Sequence, residues 1–193
     1  MDGEIWEELL ELLVAAGKLK RLKRRGWVEA GIEEPESVAE HSFRTALLAM
    51  MLADLRGLDA ERAMRMALIH DLAEAMVGDL TPEEKRRRGP AYLMEEGEAM
   101  ERLLSHLPKP LSDSYLSMWN ELRCAGSPEA EIVIQSDRLE MCIQAMEYLE
   151  AGHDPSRLER FLQIETRDLS KELHDEIIKR IKTQKNNDGN TRK

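Results

Sequence analysis

The chain has 193 residues, of which 42% are hydrophobic and only 4% aromatic, and it carries a formal net charge of −10. That length suits a single domain with a sizeable core, and the acidic balance argues against a broad nucleic-acid or anionic-membrane surface. No stretch approaches the roughly 20 apolar residues of a membrane span, and the acidic start Met1-Asp2-Gly3-Glu4 lacks the basic region of a signal peptide.

Abundant Leu, Ala, Met, Glu and Arg point to helices, and no segment shows strand alternation. The spacing predicts a first helix from about Glu4 to Lys20, with Ile5, Trp6, Leu9, Leu13 and Ala16 as its buried stripe. A basic run from Lys18 to Arg25 follows, readable as a solvated helix end because cations sit well there, and it leads into Gly26-Trp27. After a loop over Gly31 to Glu36, Ser37 and Glu40 form a capping box that starts a helix with His41 in its first turns and an end near Arg56-Gly57. Asp59 caps the next helix, which carries His70-Asp71 near its C-terminal end.

Thr81-Pro82-Glu83-Glu84 opens a charged helix reaching about Leu104, with an interruption at Gly89-Pro90. A loop over Leu107 to Pro110 precedes a short helix with Tyr115 and Trp119. Ser127-Pro128 then starts the helix that bears Asp137 and stops near Gly152, and Asp154-Pro155 begins a last long helix to about Lys182. Residues 183–193 are polar and read as a disordered tail, leaving one all-helical domain over 1–182. Trp6, Trp119 and the methionines at helical spacing read as core, and His106 as structural. Cys124 and Cys142 form no CxxC pair or disulfide framework and read as free buried thiols of a cytoplasmic protein.

Four ionisable residues interrupt apolar faces. His41 lies on a stripe with Thr45, Leu48 and Leu52; His70 shares a face with Ala63, Met66, Ala67 and Glu74; Asp137 follows Val133 and Ile134. Buried charges are normally paired or coordinate a metal. A His-Asp dipeptide alone says little, since the chain has three: Asp154 in His153-Asp154 reads as a helix cap, and His174-Asp175 as a solvated face. Alone, His70-Asp71 could equally be a hydrogen-bonded core pair. Together, His41, His70, Asp71 and Asp137 offer two imidazoles and two carboxylates from separate helices. That set suits one divalent ion (Mn, Co, Mg, Fe, Ni or Zn) with open positions for water and substrate.

The order His … His-Asp … Asp resembles the HD-domain metal-dependent phosphohydrolases. Gly26-Trp27-Val28, Pro35 to His41, His70 to Glu74, Gly78-Asp79-Leu80-Thr81-Pro82 and Gln135 to Glu140 resemble the 5′-deoxynucleotidase branch, in order over about Leu19 to Leu149. The resemblance implies an HD-domain helical bundle with its core over about 37–150 and a homodimer. The implied activity is metal-dependent hydrolysis of 2′-deoxyribonucleoside 5′-monophosphates, a small-molecule reaction without nucleic acid or membrane.

It also implies metal ligands at His41, His70, Asp71 and Asp137, and catalytic roles for Glu74 and Asp79. Substrate contacts fall to an arginine and Trp27. Some members carry Arg directly before Trp, whereas Gly26 intervenes here, so the arginine is Arg24 or Arg25, with Arg24 favoured. Glu74 as a partner fixing the His70 tautomer, and Asp79 as an ordinary turn residue, are the competing readings. Lys85-Arg86-Arg87-Arg88 carries the same two readings as the first basic run.

Two other functions stay open: an HD phosphohydrolase or phosphodiesterase acting on a cyclic nucleotide, alarmone or nucleic acid, and a non-catalytic nucleotide-sensing helical module. The Trp27 and Gly-Asp-Leu-Thr-Pro blocks count against the first, and the intact ligand set with Glu74 against the second. A GxxxxGK[ST] phosphate loop is absent.

Overall fold

The computed structural model describes residues 2–167 and 169–191, and among these the fold is all helical. The helices are α1 (Asp2–Ala16), α2 (Arg25–Glu29), α3 (Val38–Arg56), α4 (Ala60–Ile69), α5 (Glu74–Val77), α6 (Pro82–Arg88), α7 (Pro90–Leu104), α8 (Lys109–Arg123), α9 (Pro128–Glu150), α10 (Pro155–Leu162) and α11 (Leu169–Thr191). A 3₁₀ turn over Gly17–Lys20 follows α1. No helix among the described residues is long and apolar enough to cross a membrane.

The start and stop signals act as their chemistry dictates. Ser37 and Glu40 exchange both bonds of the capping box at α3, and Thr81 and Glu84 do the same at α6. Asp59, Ser127 and Asp154 accept first-turn amides of α4, α9 and α10. Gly57 closes α3 at φ +66°, a left-handed conformation that glycine adopts without a Cβ penalty.

The core lies between α3, α4, α9 and α11. Ala49 and Ala53 of α3 face Ala63, Met66 and Ala67 of α4, with Val133, Leu139 and Cys142 of α9 and Ile177 and Ile181 of α11 closing the cluster. Alanines on the facing surfaces of α3 and α4 let the two backbones approach, since interaxial distance follows side-chain size at the contact. The result holds His41 at the foot of α3 beside the end of α4.

Several expectations need correcting. Ile5, Trp6 and Leu13 are exposed, and α1 packs inward through Leu12 while Leu19 is buried just after it. Periodicity shows that α1 has an apolar stripe but cannot say what covers it. Cys124 is exposed, whereas Cys142 is buried as expected. The charged segment after Thr81 breaks at Gly89-Pro90 as expected, whereas the last long helix is two helices.

The break between α10 and α11 is tied to contacts from other helices. The Cys142 thiol donates to the Phe161 carbonyl at 3.0 Å and the His174 ring meets the Leu162 carbonyl at 2.9 Å, so C-terminal carbonyls of α10 find partners outside the helix. His174 is therefore half-buried rather than on a solvated face. The helical backbone of α11 runs to Thr191, past the end expected near Lys182, because extending a packed helix costs little per residue. The tail expected over 183–193 thus falls partly on helical backbone and partly, at 192–193, outside the described residues.

Candidate metal centre and active site

His41, His70 and Asp71 come together with their ligand atoms within 4.8 Å of one another. The two Nε2 atoms are 3.3 Å apart, and His70 Nε2 is 3.1 Å from Asp71 Oδ2. Asp137 stands at the rim: its Oδ1 is 3.1 Å from His41 Nε2, while its side chain is 36% exposed. Ligands about 2.1 Å from one ion and 90–109° apart would stand roughly 3.0–3.4 Å from each other. The His41–His70, His70–Asp71 and His41–Asp137 pairs fall in that range, while His41 Nε2 and Asp71 Oδ2 stand 3.7 Å apart and Asp137 lies outside the group of three.

Each imidazole is held by the nitrogen that faces away from the site. His70 Nδ1 lies 2.7 Å from the Ala67 carbonyl of its own helix, and His41 Nδ1 lies 2.5 Å from Glu140 Oε2. Bonds at Nδ1 fix the ring orientation and free Nε2 for coordination. Glu140 is fully buried and accepts from Arg44 Nε at 2.9 Å, so it is a satisfied support. Glu36, His41 and Glu140 form a second group near ligand spacing. Its carboxylates are already bonded, because Glu36 Oε1 also accepts the Trp27 indole N–H at 2.8 Å. Among the described residues, Asp71 Oδ2 and Glu74 Oε2 are buried without a hydrogen-bond partner. Orphaned buried carboxylate oxygens are costly, and Asp71 belongs to the first cluster.

The electrostatics favour a cation there. Burial and the Arg24 charge work against protonating His41, yet its bonds to Asp137 and Glu140 raise its pKa to about 10. Burial also pushes Glu74 well above the usual carboxylate range, helped by the Asp71 and Asp79 charges and opposed by Lys85. Lys85 Nζ sits 3.2 Å from Glu74 Oε1, which leaves Oε2 as the free oxygen. The Ala67 carbonyl, rather than Glu74, meets the His70 Nδ1.

Backbone pairing sets the two arginines apart. The Arg24 amide donates to Glu36 O at 3.1 Å and the Val38 amide to Leu22 O at 2.9 Å, pinning the basic segment against the start of α3. Arg24 Nη1 then lies 3.5 Å from Asp79 Oδ1 and 3.7 Å from Asp71 Oδ2, with 14% of its side chain exposed. Arg25 points outward to Glu29 and Glu84. Asp79, behind the positive-φ turn at Gly78, also accepts the Arg25 amide at the start of α2, so it anchors Arg24 and the helix together.

Trp27 is 1% exposed, packed against Tyr148 and Phe161 at the floor of a pocket of about 590 Å³. Arg24, Asp71, Asp79, Lys85 and Asp137 also line this pocket. Sequence reasoning gave no role to Glu140, Glu36 or Phe161 and left Lys85 within a basic run. Glu140 had a usable signal: Val133, Ser136 and Glu140 share one face of α9, and a carboxylate on a buried stripe needs a partner.

A family model described as HD domain matches residues 16–178. The human protein named 5′-deoxynucleotidase HDDC2 is 40% identical over 166 residues, covering 83% of this chain and 78% of that protein. The 5′-deoxynucleotidase YGK1 of Saccharomyces cerevisiae is 34% identical, covering 75% of this chain and 68% of its own. Among solved structures, the PH0347 protein of Pyrococcus horikoshii superposes with a TM-score of 0.72 at 32% identity, over 89% of this chain and 99% of that one.

Removing one ligand should remove the ion. Elemental analysis of Mn-loaded, desalted protein should show most of the metal lost from His70→Ala and Asp137→Ala, and retained by Glu74→Ala. Full occupancy in either ligand variant would exclude that residue, and metal loss from Glu74→Ala would make Glu74 a ligand.

Proposed function

The chain belongs to the HD-domain family, and we propose on that basis that it hydrolyses 2′-deoxyribonucleoside 5′-monophosphates to deoxynucleoside and phosphate. The observation that carries this reading is the 34–40% identity, over most of the chain, to proteins named 5′-deoxynucleotidase. In it His41, His70, Asp71 and Asp137 hold one divalent ion, whose mixed nitrogen and oxygen ligands suit Mn, Co, Mg, Fe, Ni or Zn. When bound, the ion supplies Lewis-acid activation of water and neutralises phosphoryl charge.

The remaining work falls to side chains. Arg24 presents a guanidinium fork to the phosphate, with Asp71 and Asp79 fixing its direction. Glu74 Oε2, which has no hydrogen-bond partner, exchanges the proton: it takes one from the attacking water or gives one to the leaving 5′ oxygen as the P–O bond breaks. Lys85 holds the other oxygen of Glu74 and so aims the free one. Trp27 at the pocket floor has its indole N–H committed to Glu36, so it offers a 2′-hydroxyl no partner, which favours deoxy sugars.

A cytoplasmic site of action belongs to the same reading, supported by an exposed free thiol at Cys124, which suits a reducing compartment. So does a homodimer. Phe43, Leu47, Met51 and Leu55 form an exposed stripe at i, i+4 spacing along α3, and Trp6, Leu10, Leu13 and Val14 are exposed on α1.

Phosphate release should be fast with dAMP and at least about 10-fold poorer in kcat/KM with AMP, the scale of stranding one polar group. Equal turnover of the two would reject the deoxy preference. Glu74→Ala should cost about 10²-fold or more in kcat, as loss of a general acid/base does; wild-type kcat in that variant would remove Glu74 from the chemistry. For the dimer, Leu47→Glu with Met51→Glu should halve the mass measured by sedimentation, and an unchanged mass would place any dimer contact elsewhere.

A further inference from the structure

Beside its polar residues, the pocket has an apolar wall that the catalytic reading leaves unused: Met141, Phe161 and Ile164. Met141 lies one helical turn beyond Asp137 on α9, so this wall adjoins the metal ligands. We infer that Phe161 forms the base-binding wall of the substrate pocket and sets the preference for nucleotides over phosphate esters that lack a base. The inference rests on the proposed phosphomonoesterase activity and adds the residue that recognises the nucleoside.

Phe161 is held in place from several directions. Its ring centroid is 4.0 Å from that of Trp27, and its carbonyl accepts the Cys142 thiol at 3.0 Å. The Arg160 guanidinium carbon stands 4.7 Å from the ring centroid, and Arg160 is itself fixed by a 3.1 Å bond to Gly26 O and by Glu29 at 3.7 Å. Gly26 gives the ring its room: a Cβ there would stand 3.1 Å from Cε1 and 3.4 Å from Cζ of Phe161. The glycine between Arg25 and Trp27 thus lets the phosphate-facing segment and the aromatic wall pack together.

The chemistry suits a nucleobase. Trp27 lines the pocket with only 1% of its surface exposed, so the aromatic side chain that remains half-buried at this wall is Phe161. A phenyl ring has no donor or acceptor, and contacts between aromatic side chains and bases tolerate any base because every base has a π-face. A wall of Phe161, Met141 and Ile164 would therefore bind several nucleobases while the polar residues hold the phosphate.

The test compares kcat/KM for dAMP with that for 2-deoxyribose 5-phosphate, which keeps phosphate and sugar and lacks the base. In Phe161→Ala the ratio should fall about 10-fold, within the range for losing one base–aromatic contact, and the fall should lie mainly in KM for dAMP. Phe161→Leu, which keeps an apolar side chain against Trp27, should lower the ratio by a smaller factor and decides the matter if Phe161→Ala does not fold. A wild-type ratio in the folded variants overturns the inference. A wild-type protein that cleaves neither compound would instead reject the phosphomonoesterase reading, and this inference with it.

Discussion

The bond between His41 Nδ1 and Glu140 Oε2, 2.5 Å long and fully buried, organises the centre of this molecule. An imidazole in an apolar core needs a partner, and a carboxylate there needs one even more. Each satisfies the other, and Arg44 at 2.9 Å supplies the remaining charge balance from the adjacent turn of α3. The consequence is directional: with Nδ1 engaged, His41 presents Nε2 to His70, Asp71 and Asp137. The Ala67 carbonyl does the same for His70 at no cost in extra charge. Breaking the Glu140 bond would strand a buried charge and release the ring together, so stability and coordination depend on one contact.

The polar pocket is built outward from that point. Asp71 and Asp79 draw in Arg24, Lys85 closes on Glu74, and one buried oxygen each of Asp71 and Glu74 is left without a hydrogen-bond partner. Charges of both signs are packed together here, and the arrangement leaves selected atoms free, as a site that must bind an anion beside a cation requires. On the other side, Trp27 and Phe161 give the same cavity an apolar surface. A phosphate and a nucleoside ask for these two opposite environments within one small volume.

Much of this was legible in the sequence because it rests on local rules. The capping residues Ser37, Asp59, Thr81, Ser127 and Asp154 act within a turn of themselves, so α3, α4, α6, α9 and α10 start where they were expected. His41, His70 and Asp71 betrayed themselves as polar groups on apolar faces. What escaped was decided at a distance. The outward turn of Ile5, Trp6 and Leu13 depends on what else packs on α1, and the end of α10 depends on Cys142 and His174, 19 and 12 residues away from the carbonyls they meet. Glu140, Lys85 and Phe161 gain their roles only from partners on other elements, which spacing along one helix does not reveal.

The central claim is that one divalent ion sits between the Nε2 atoms of His41 and His70 and the carboxylates of Asp71 and Asp137. Anomalous diffraction from crystals of the Mn-loaded protein tests it most directly. The account predicts a single strong peak within coordinating distance of those four side chains. A peak on Glu36 and Glu140 on the far side of His41, or no peak near either histidine, would contradict it.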